Sequence, residues 1–300
     1  PAERGRLEGG TIMKGDAMTK LLYLECTSGI SGDMCAAALL DAGASEEAVR
    51  RALESLPVEG FAVEISRVKK SGLDVCDFSV VLDAAHENHD HDMAYLHGHG
   101  GASEHGHGHD HGRAHDHDHA HGAPGGHHHR GPAEIAQIID GAAMTDGAKA
   151  IAHRMFGFVA DAEARAHGVP VGEVHFHEVG AVDSIADIIA IAVAADDLAP
   201  DGVVVSDLPC GYGTVRCQHG LIPVPAPATA FIAEAAGLTL SPVDVEGELV
   251  TPTGAAAAAA LRTEAALPER FSIKAIGMGA GKRAYDTPGI LRAMIIEPAE

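Results

Sequence analysis

The sequence has no tryptophan, only four tyrosines and seven phenylalanines, and half as many basic as acidic residues (21 Lys and Arg against 43 Asp and Glu). The absence of tryptophan beside 36 glycines and a hydrophobic content of 46% is typical of a compact, soluble protein built from small side chains. The net charge of −22 argues against nucleic acid or an anionic membrane as a partner, because phosphate backbones bind clustered Lys and Arg. Any phosphorylated ligand must therefore be held locally, by backbone N–H groups, a few cations or a bound metal.

The five cysteines form no C-x-x-C pair and are too sparse for a disulfide scaffold. This pattern predicts a reducing, cytoplasmic setting. No apolar run reaches the length of a membrane span, and the first residues carry no secretion signal, so we predict neither.

The chain divides into four stretches by composition. Residues 1–17 are polar and aperiodic and are expected to be a flexible leader; 18–83 and 132–297 alternate strand and helix patterns, and 84–131 separates them. We predict an α/β fold, a single discontinuous domain with a disordered His-rich insert and with its site at strand-to-helix turns.

The insert holds sixteen of the 21 histidines, between His86 and His129, interleaved with Asp, Gly and Ala. Such a segment cannot bury enough apolar area to fold alone. Dense imidazole binds Ni²⁺, Zn²⁺ or Cu²⁺, and whether that binding is required for the protein's task stays open. The candidate metal ligands here are His107, His109, His111, His115, His117 and His119.

A short apolar run, Leu21 to Cys26, precedes the turn Thr27–Asp33 and then a helical pattern. A strand, a glycine-containing loop and a helix can present backbone N–H groups to an anion, although the spacing is neither a Walker nor a dinucleotide motif. A plain tight connection is the alternative. The candidate anion-binding residues are Ser28, Gly29, Ser31 and Gly32, with Cys26 and Asp33 as second-rank site residues.

The segment 174–187 concentrates two imidazoles and several carboxylates. In an extended segment His175 and His177 point the same way and Glu178 the opposite way. After the turn at Gly180, Asp183 and Asp187 lie one helical turn apart. We predict a divalent-metal site with His175, His177 and Asp187 as ligands and Glu178, Asp183 and Asp33 as acid–base candidates. The alternative is that Asp183 only caps the helix and Glu178 is solvated.

Three weaker signals complete the set. Cys210, Cys217 and His219 are close in sequence but lack a recognised zinc spacing. Lys69 and Lys70 occupy a predicted hairpin turn, where solvation is the simpler interpretation. The segment 277–283 is a predicted glycine loop between two strands, and it ends in Lys282 and Arg283.

Four motifs together carry a resemblance to a known family. They are Cys26–Met34, His175–Ser184, Thr251–Ala255, and the final glycine loop with Pro288 and Ile290–Arg292. The chain resembles, over about residues 18–297, the nickel-insertion proteins of nickel-pincer cofactor synthesis, the LarC family named for lactate racemase maturation.

The resemblance implies an enzyme that inserts Ni²⁺ into pyridinium-3,5-bisthiocarboxylic acid mononucleotide and consumes CTP with Mg²⁺ or Mn²⁺. In the family the CTP site is attributed to a further C-terminal domain, so this chain is expected to be the first part of the enzyme or a separate subunit. A nickel-pincer-dependent enzyme would receive the product. In this interpretation the His-rich insert concentrates nickel, His175 and His177 pass it on, Glu178 or Asp183 takes the ring proton, and the Gly29–Gly32 loop holds the phosphate.

Two rival functions remain. A nickel chaperone or store would need only the insert, whereas an enzyme would work without it at saturating nickel. A metal-dependent hydrolase would use His175, His177, Glu178 and Asp187 without nickel specificity. The sequence leaves the oligomeric state open.

Overall fold

The computed structural model describes residues 19–83, 130–174, 176, 182–217 and 220–299. Within these ranges the chain forms seven α-helices, one 3₁₀ turn at Val171–Glu173 and ten strands, a mixed α/β architecture that confirms the predicted class. The predicted leader and nearly all of the predicted insert, including its six candidate metal ligands, lie outside the described residues. The helices are α1 Gly32–Asp41, α2 Glu46–Glu54, α3 Pro132–Gly141, α4 Asp146–His167, α5 Val182–Leu198, α6 Pro227–Ala236 and α7 Pro252–Leu261. The strands are β1 Leu21–Glu25, β2 Phe61–Lys70, β3 Leu73–Leu82, β4 Gly202–Val205, β5 Leu208–Tyr212, β6 Thr214–Cys217, β7 Gly220–Pro223, β8 Leu240–Glu246, β9 Phe271–Ala280 and β10 Ile290–Pro298.

Six strands form the main sheet, in the order β2-β3-β9-β10-β1-β4. The sheet is mixed: β1 pairs in parallel with β4 and antiparallel with β10, and β3 runs parallel to β9. Strands from both sides of the predicted insert therefore share one sheet. Two small sheets, β5-β8 and β6-β7, lie apart from it.

The helices bury the sheet through small side chains. Helix α1 packs on β3, β9 and β10, α5 packs on α1 and α2, and α4 contacts α5, α6 and α7. Helix α5 is buried along most of its length, and the alanine run of α7 is almost wholly buried. Alanine keeps interhelical distances short, which explains how a chain with few aromatic residues fills its core. No helix among the described residues is long and apolar enough to cross a membrane.

One sequence-based prediction was wrong in a way that matters for the site. The expected glycine loop at 277–283 is strand up to Ala280, because β9 continues through its glycines. A Cβ placed on Gly277 would lie 2.1 Å from the carbonyl oxygen of Ala38, and one on Gly279 would lie 2.0 Å from that of Met34. These glycines let the backbone of β9 lie directly against helix α1, so they serve packing, not nucleotide binding.

The hairpin β2-β3 differs from its prediction only at the turn. Its strands extend to Lys70 and from Leu73, and the connection is Ser71–Gly72, with φ of 50° and 82°. Two residues with positive φ match the twist of a tight two-residue hairpin. Lys70 therefore belongs to a strand, from which it reaches the site described next.

Candidate functional site

A cavity of about 150 Å³ lies where the β1–α1 loop, the N-termini of α5 and α7, the β6–β7 hairpin and the β9–β10 loop meet. Its lining includes Ser28, Ser31 and Gly32 from the first loop and Cys217 from β6. Charged side chains of both signs face it, namely Asp33, Asp183, Asp187, Arg216, Glu248, Lys282 and Arg283. The cavity therefore gathers residues from each of the four motifs that carry the family resemblance.

The N-terminus of α1 is capped by a side chain from another helix. Ser31 occupies the N-cap position, but its hydroxyl bonds to the Asp33 carboxylate instead of capping the helix. The Asp187 carboxylate, from α5, accepts the backbone N–H of Asp33. A Cβ on Gly32 would lie 2.1 Å from Oδ2 of Asp187, so glycine is needed there for the close approach. Helix α1 thus begins on an internal carboxyl group, placed at the end of the helix where the dipole favours negative charge.

Asp33 and Asp187 form a buried carboxyl pair with Asp183 nearby. Asp33 is 9% exposed, and its Oδ2 is buried without a hydrogen-bond partner among the described residues. Burial raises the pKa of Asp187 well above its ordinary value, and the charges of Asp33 and Asp183 raise it further, while Lys282 opposes the shift. Like-charged neighbours in a desolvated place favour the protonated acid, so this end of the cavity can hold and exchange a proton.

This shift predicts a pH-dependent stability. A carboxyl group whose pKa is higher in the folded than in the unfolded state gives a free energy of unfolding that falls as the pH rises from the unfolded value to the folded one. We expect Asp187→Asn to remove that fall and to be more stable than the unchanged chain at neutral pH. Urea denaturation across the acidic to neutral range measures both. Asp161→Asn, at an exposed position of α4, is the control, and parallel pH profiles for the Asp187 variant and the unchanged chain would contradict the expectation.

The β1–α1 loop has fewer available N–H groups than its sequence suggested. The N–H of Gly29 donates to the carbonyl of Cys26 at 2.8 Å, and that of Ile30 to the carbonyl of Leu249 at 3.0 Å. With the N–H of Asp33 on Asp187, three donors of the turn Thr27–Asp33 already have acceptors within the protein, and one of them, Gly29, is a predicted anion-binding residue. The loop lies beside the cavity, and its role as a phosphate site stays a prediction.

The His-containing motif is described only in part. His175, His177 and Glu178 lie outside the described residues, whereas Asp183 and Asp187 lie one turn apart on α5 and both line the cavity. Between the two histidines, Phe176 is 3% exposed, and its ring centroid is 5.2 Å from that of Phe156 on α4. Among the described residues, no group of three or more His, Cys, Asp or Glu side chains is placed to hold a metal ion. The predicted metal site therefore stays a prediction.

The cysteines divide into buried and cavity-facing groups. Cys26 is fully buried, its thiol donates to the carbonyl of Leu24, and burial raises its pKa to about 12, so it is inert in this arrangement. Cys217 lines the main cavity, and Cys210 lines a smaller, separate one. His219 lies outside the described residues.

Sequence analysis did not identify two acids at this site, and it interpreted one lysine there as solvated. Lys282 pairs with Asp77 of β3, and Arg283 pairs at 2.5 Å with Glu248, which is 5% exposed. Lys70, expected in a solvated turn, donates to two main-chain carbonyls of the β9–β10 loop. Asp77 and Glu248 belong to none of the motifs picked out in the sequence, and only the structure shows that they hold the two cations.

Comparison with known proteins gives one consistent result. A family model described as nickel insertion protein matches residues 22–300. A pyridinium-3,5-bisthiocarboxylic acid mononucleotide nickel insertion protein of Alkaliphilus metalliredigens is 48% identical over 93% of this chain and 61% of its own length. The protein of that name from Geobacillus kaustophilus is 37% identical over 93% and 60%, and a putative nickel insertion protein of Geobacter sp. strain M21 is 38% identical over 94% and 62%.

The chain thus spans about three fifths of the length of these relatives. No solved structure matches it. The family match covers both the strands and the helices that enclose the cavity. On this evidence the chain belongs to the nickel insertion protein family.

Proposed function

We propose that the chain takes part in inserting Ni²⁺ into pyridinium-3,5-bisthiocarboxylic acid mononucleotide, the molecule named for its relatives, with the described cavity as the reaction site. The observation that supports this most is the convergence of Asp33, Asp183 and Asp187 on one cavity that also carries Lys282 and Arg283. A zwitterionic substrate with a pyridinium ring and several anionic groups calls for both signs of charge. Nickel is here a substrate, delivered and released, so a permanent closed ligand set is not required.

The chemistry needs a soft acceptor, a metal donor and a base. The two thiocarboxylate sulfurs bind Ni²⁺, and the ring carbon between them exchanges its proton for the metal, so one carbon–hydrogen bond is replaced by one nickel–carbon bond and one proton is released. We assign the metal donor to His175, His177 and Asp187. The acid–base role goes to Asp33, with Glu178 and Asp183 as the other candidates.

Asp33 is the carboxylate best suited to receive that proton. Asp33 lines the cavity, and its Oδ2 is buried and accepts no hydrogen bond among the described residues, so that oxygen has unused lone pairs. Its neighbour Asp187 has a raised pKa, which lets the pair share one proton. Helix α1 and Gly32 hold both carboxyl groups in position, because Asp187 caps the helix that carries Asp33.

The reaction is proposed as lyase-class chemistry in the cytoplasm, where a reducing environment suits the five free cysteines. Lactate racemase, or another nickel-pincer-dependent enzyme, is the proposed recipient. CTP with Mg²⁺ or Mn²⁺ is a further proposal that rests on the resemblance alone. Among the described residues no group of three or more His, Cys, Asp or Glu side chains is placed to hold such a metal, and no step above depends on the nucleotide.

The test is nickel insertion by the chain, supplied with substrate, Ni²⁺, CTP and Mg²⁺, and followed by mass spectrometry of the nickel product. The full-length relative from Alkaliphilus metalliredigens is the positive control. We expect Asp33→Asn to slow insertion by roughly 10²- to 10⁴-fold, the usual contribution of a positioned acid or base. Asp161→Asn, on an exposed face of α4, should not change the rate.

Three results would count against parts of this assignment. Insertion at the normal rate by Asp33→Asn would remove Asp33 from the mechanism. Full insertion by a His177→Ala, Glu178→Ala double variant would remove the His-containing motif. Loss of all function at saturating nickel on deletion of residues 86–129 would favour the nickel store over the enzyme.

A further inference from the structure

Cations line this cavity although the protein as a whole is strongly acidic, with a net charge of −22. Two of them, Lys282 and Arg283, are consecutive residues of the loop between β9 and β10, and Arg216 from β6 lines the same space. The side chains of Lys282 and Arg283 are only 19% and 17% exposed. Surface solubility does not explain cations that are this enclosed.

The loop that carries them is held rigidly at its main chain. The ammonium group of Lys70 donates to the carbonyl of Gly281 at 2.7 Å and to that of Arg283 at 2.9 Å. The N–H of Gly281 donates to the carbonyl of Gly289 at 2.9 Å, which closes the base of the loop. The chain on both sides of Lys282 is therefore fixed by a half-buried cation that donates to the protein main chain, so Lys70 serves as a positioning residue.

Acids orient both cations, and Lys282 keeps donors for a ligand. Lys282 pairs with Asp77, and Arg283 pairs with the buried Glu248 and also bonds to Tyr285. An ammonium group has three N–H donors, so the one acceptor of Lys282 among the described residues leaves capacity for a ligand, while Arg283 adds its positive charge. Lys282 also lies close enough to Asp187 for its charge to act on that carboxyl group. The cations are thus adjacent to the carboxyl pair and within one cavity.

We propose that Lys282 and Arg283 form the binding site for the phosphate monoester of the mononucleotide substrate. This rests on the proposed function and assigns the phosphate to the β9–β10 loop, not to the β1–α1 loop. The latter already uses the N–H groups of Gly29 and Ile30 on carbonyls and that of Asp33 on a carboxylate. Placed against Lys282, the phosphate would leave the thiocarboxylates to meet nickel near Asp33.

The proposal is tested by calorimetric titration of the nickel-free chain with three ligands. They are pyridinium-3,5-dicarboxylate mononucleotide, the nucleoside that lacks its phosphate, and ribose 5-phosphate. We expect Lys282→Gln to lower the affinity for the mononucleotide and for ribose 5-phosphate about tenfold or more, the usual contribution of a charge-assisted hydrogen bond. The affinity for the nucleoside should not change. Lys282→Arg should keep most of the affinity and guards against misfolding as the cause.

Lys69→Gln is the matched control, since Lys69 pairs with Asp74 in the same hairpin, its side chain is 70% exposed and it lies outside the cavity. Equal mononucleotide affinity in Lys282→Gln and the unchanged chain would overturn the phosphate site and leave the proposed function standing. If ribose 5-phosphate bound in a way that depends on Lys282 but the chain inserted no nickel, the result would support the phosphate site and contradict the proposed function. If the unchanged chain bound neither phosphate ligand, the phosphate site would be wrong.

Discussion

Gly279→Ala is expected to destabilise the fold by about 3 kcal/mol, the upper part of the range for overpacking a core. The added methyl group would lie 2.0 Å from the carbonyl oxygen of Met34 and 2.6 Å from the nitrogen of Ala38. Both are backbone atoms of α1, so no side chain can rotate away, and either the helix or β9 must move. Urea denaturation followed by circular dichroism gives the change in the free energy of unfolding.

The matched control is a glycine of the opposite kind. Gly157 lies in the interior of α4, and a Cβ built on it meets no atom within 4 Å. Gly157→Ala should therefore stabilise the protein by about 0.5–1 kcal/mol, because alanine loses less conformational entropy in a helix. If both variants shifted the denaturation midpoint in the same direction, direct contact of β9 with α1 would not be the reason for Gly279.

The displacement would also reach the cavity. Met34 follows Asp33 in α1, and Gly281 follows β9, so separation of helix and strand would part the carboxyl pair from Lys282. If the proposed function holds, Gly279→Ala should also slow the proposed nickel insertion even where most molecules are folded.

Phe176→Ala should cost about 3–5 kcal/mol, the usual range for truncating a buried phenylalanine. Phe176 is 3% exposed and packs at an angle of 59° on Phe156, in the part of the core around α4. It is also the residue between His175 and His177. Removing the ring would therefore remove the core contact that is expected to hold the predicted metal motif in place.

Two further substitutions serve as controls for the stability change of Phe176→Ala. Phe176→Leu keeps most of the apolar volume and should cost less than about 1.5 kcal/mol. Phe158→Ala, at a half-buried position of α4, should cost clearly less than Phe176→Ala. A Phe176→Ala variant as stable as the unchanged chain would show that the ring is not part of the core, and the anchoring role would fall with it.

Local sequence signals account for the ends of several helices. The N-caps Ser45 and Thr251 accept the N–H groups of Ala48 and Gly254, and Gly168 ends α4 in the left-handed conformation. Such signals act within four residues, so the sequence displays cause and effect side by side. The family resemblance likewise depended on short motifs whose order along the chain is visible, and the comparisons confirmed it.

The sequence was less informative wherever a long-range contact sets the role of a residue. The glycines of β9 were predicted to form a loop because no nearby residue indicates that they pack against helix α1. That helix lies more than two hundred residues earlier in the chain. Lys70 looked solvated for the same reason, although it holds the loop at Gly281 and Arg283. The same local sequence pattern can occur at a buried or at an exposed position. Which of the two applies depends on the residues that contact it in the folded structure.

By itself the sequence determined the α/β class, the acidic character and the family, because these depend on composition, on the periodicity of apolar residues and on the order of motifs along the chain. Only the tertiary structure decided that Asp187 caps helix α1 beside Asp33, that Glu248 and Asp77 hold the two cations, and that these groups share one cavity. Those facts depend on burial and on distances between side chains up to about two hundred residues apart in the chain. The free energy of a charged side chain depends strongly on whether the side chain is buried. Burial is a property of the folded chain, so the sequence alone does not show it.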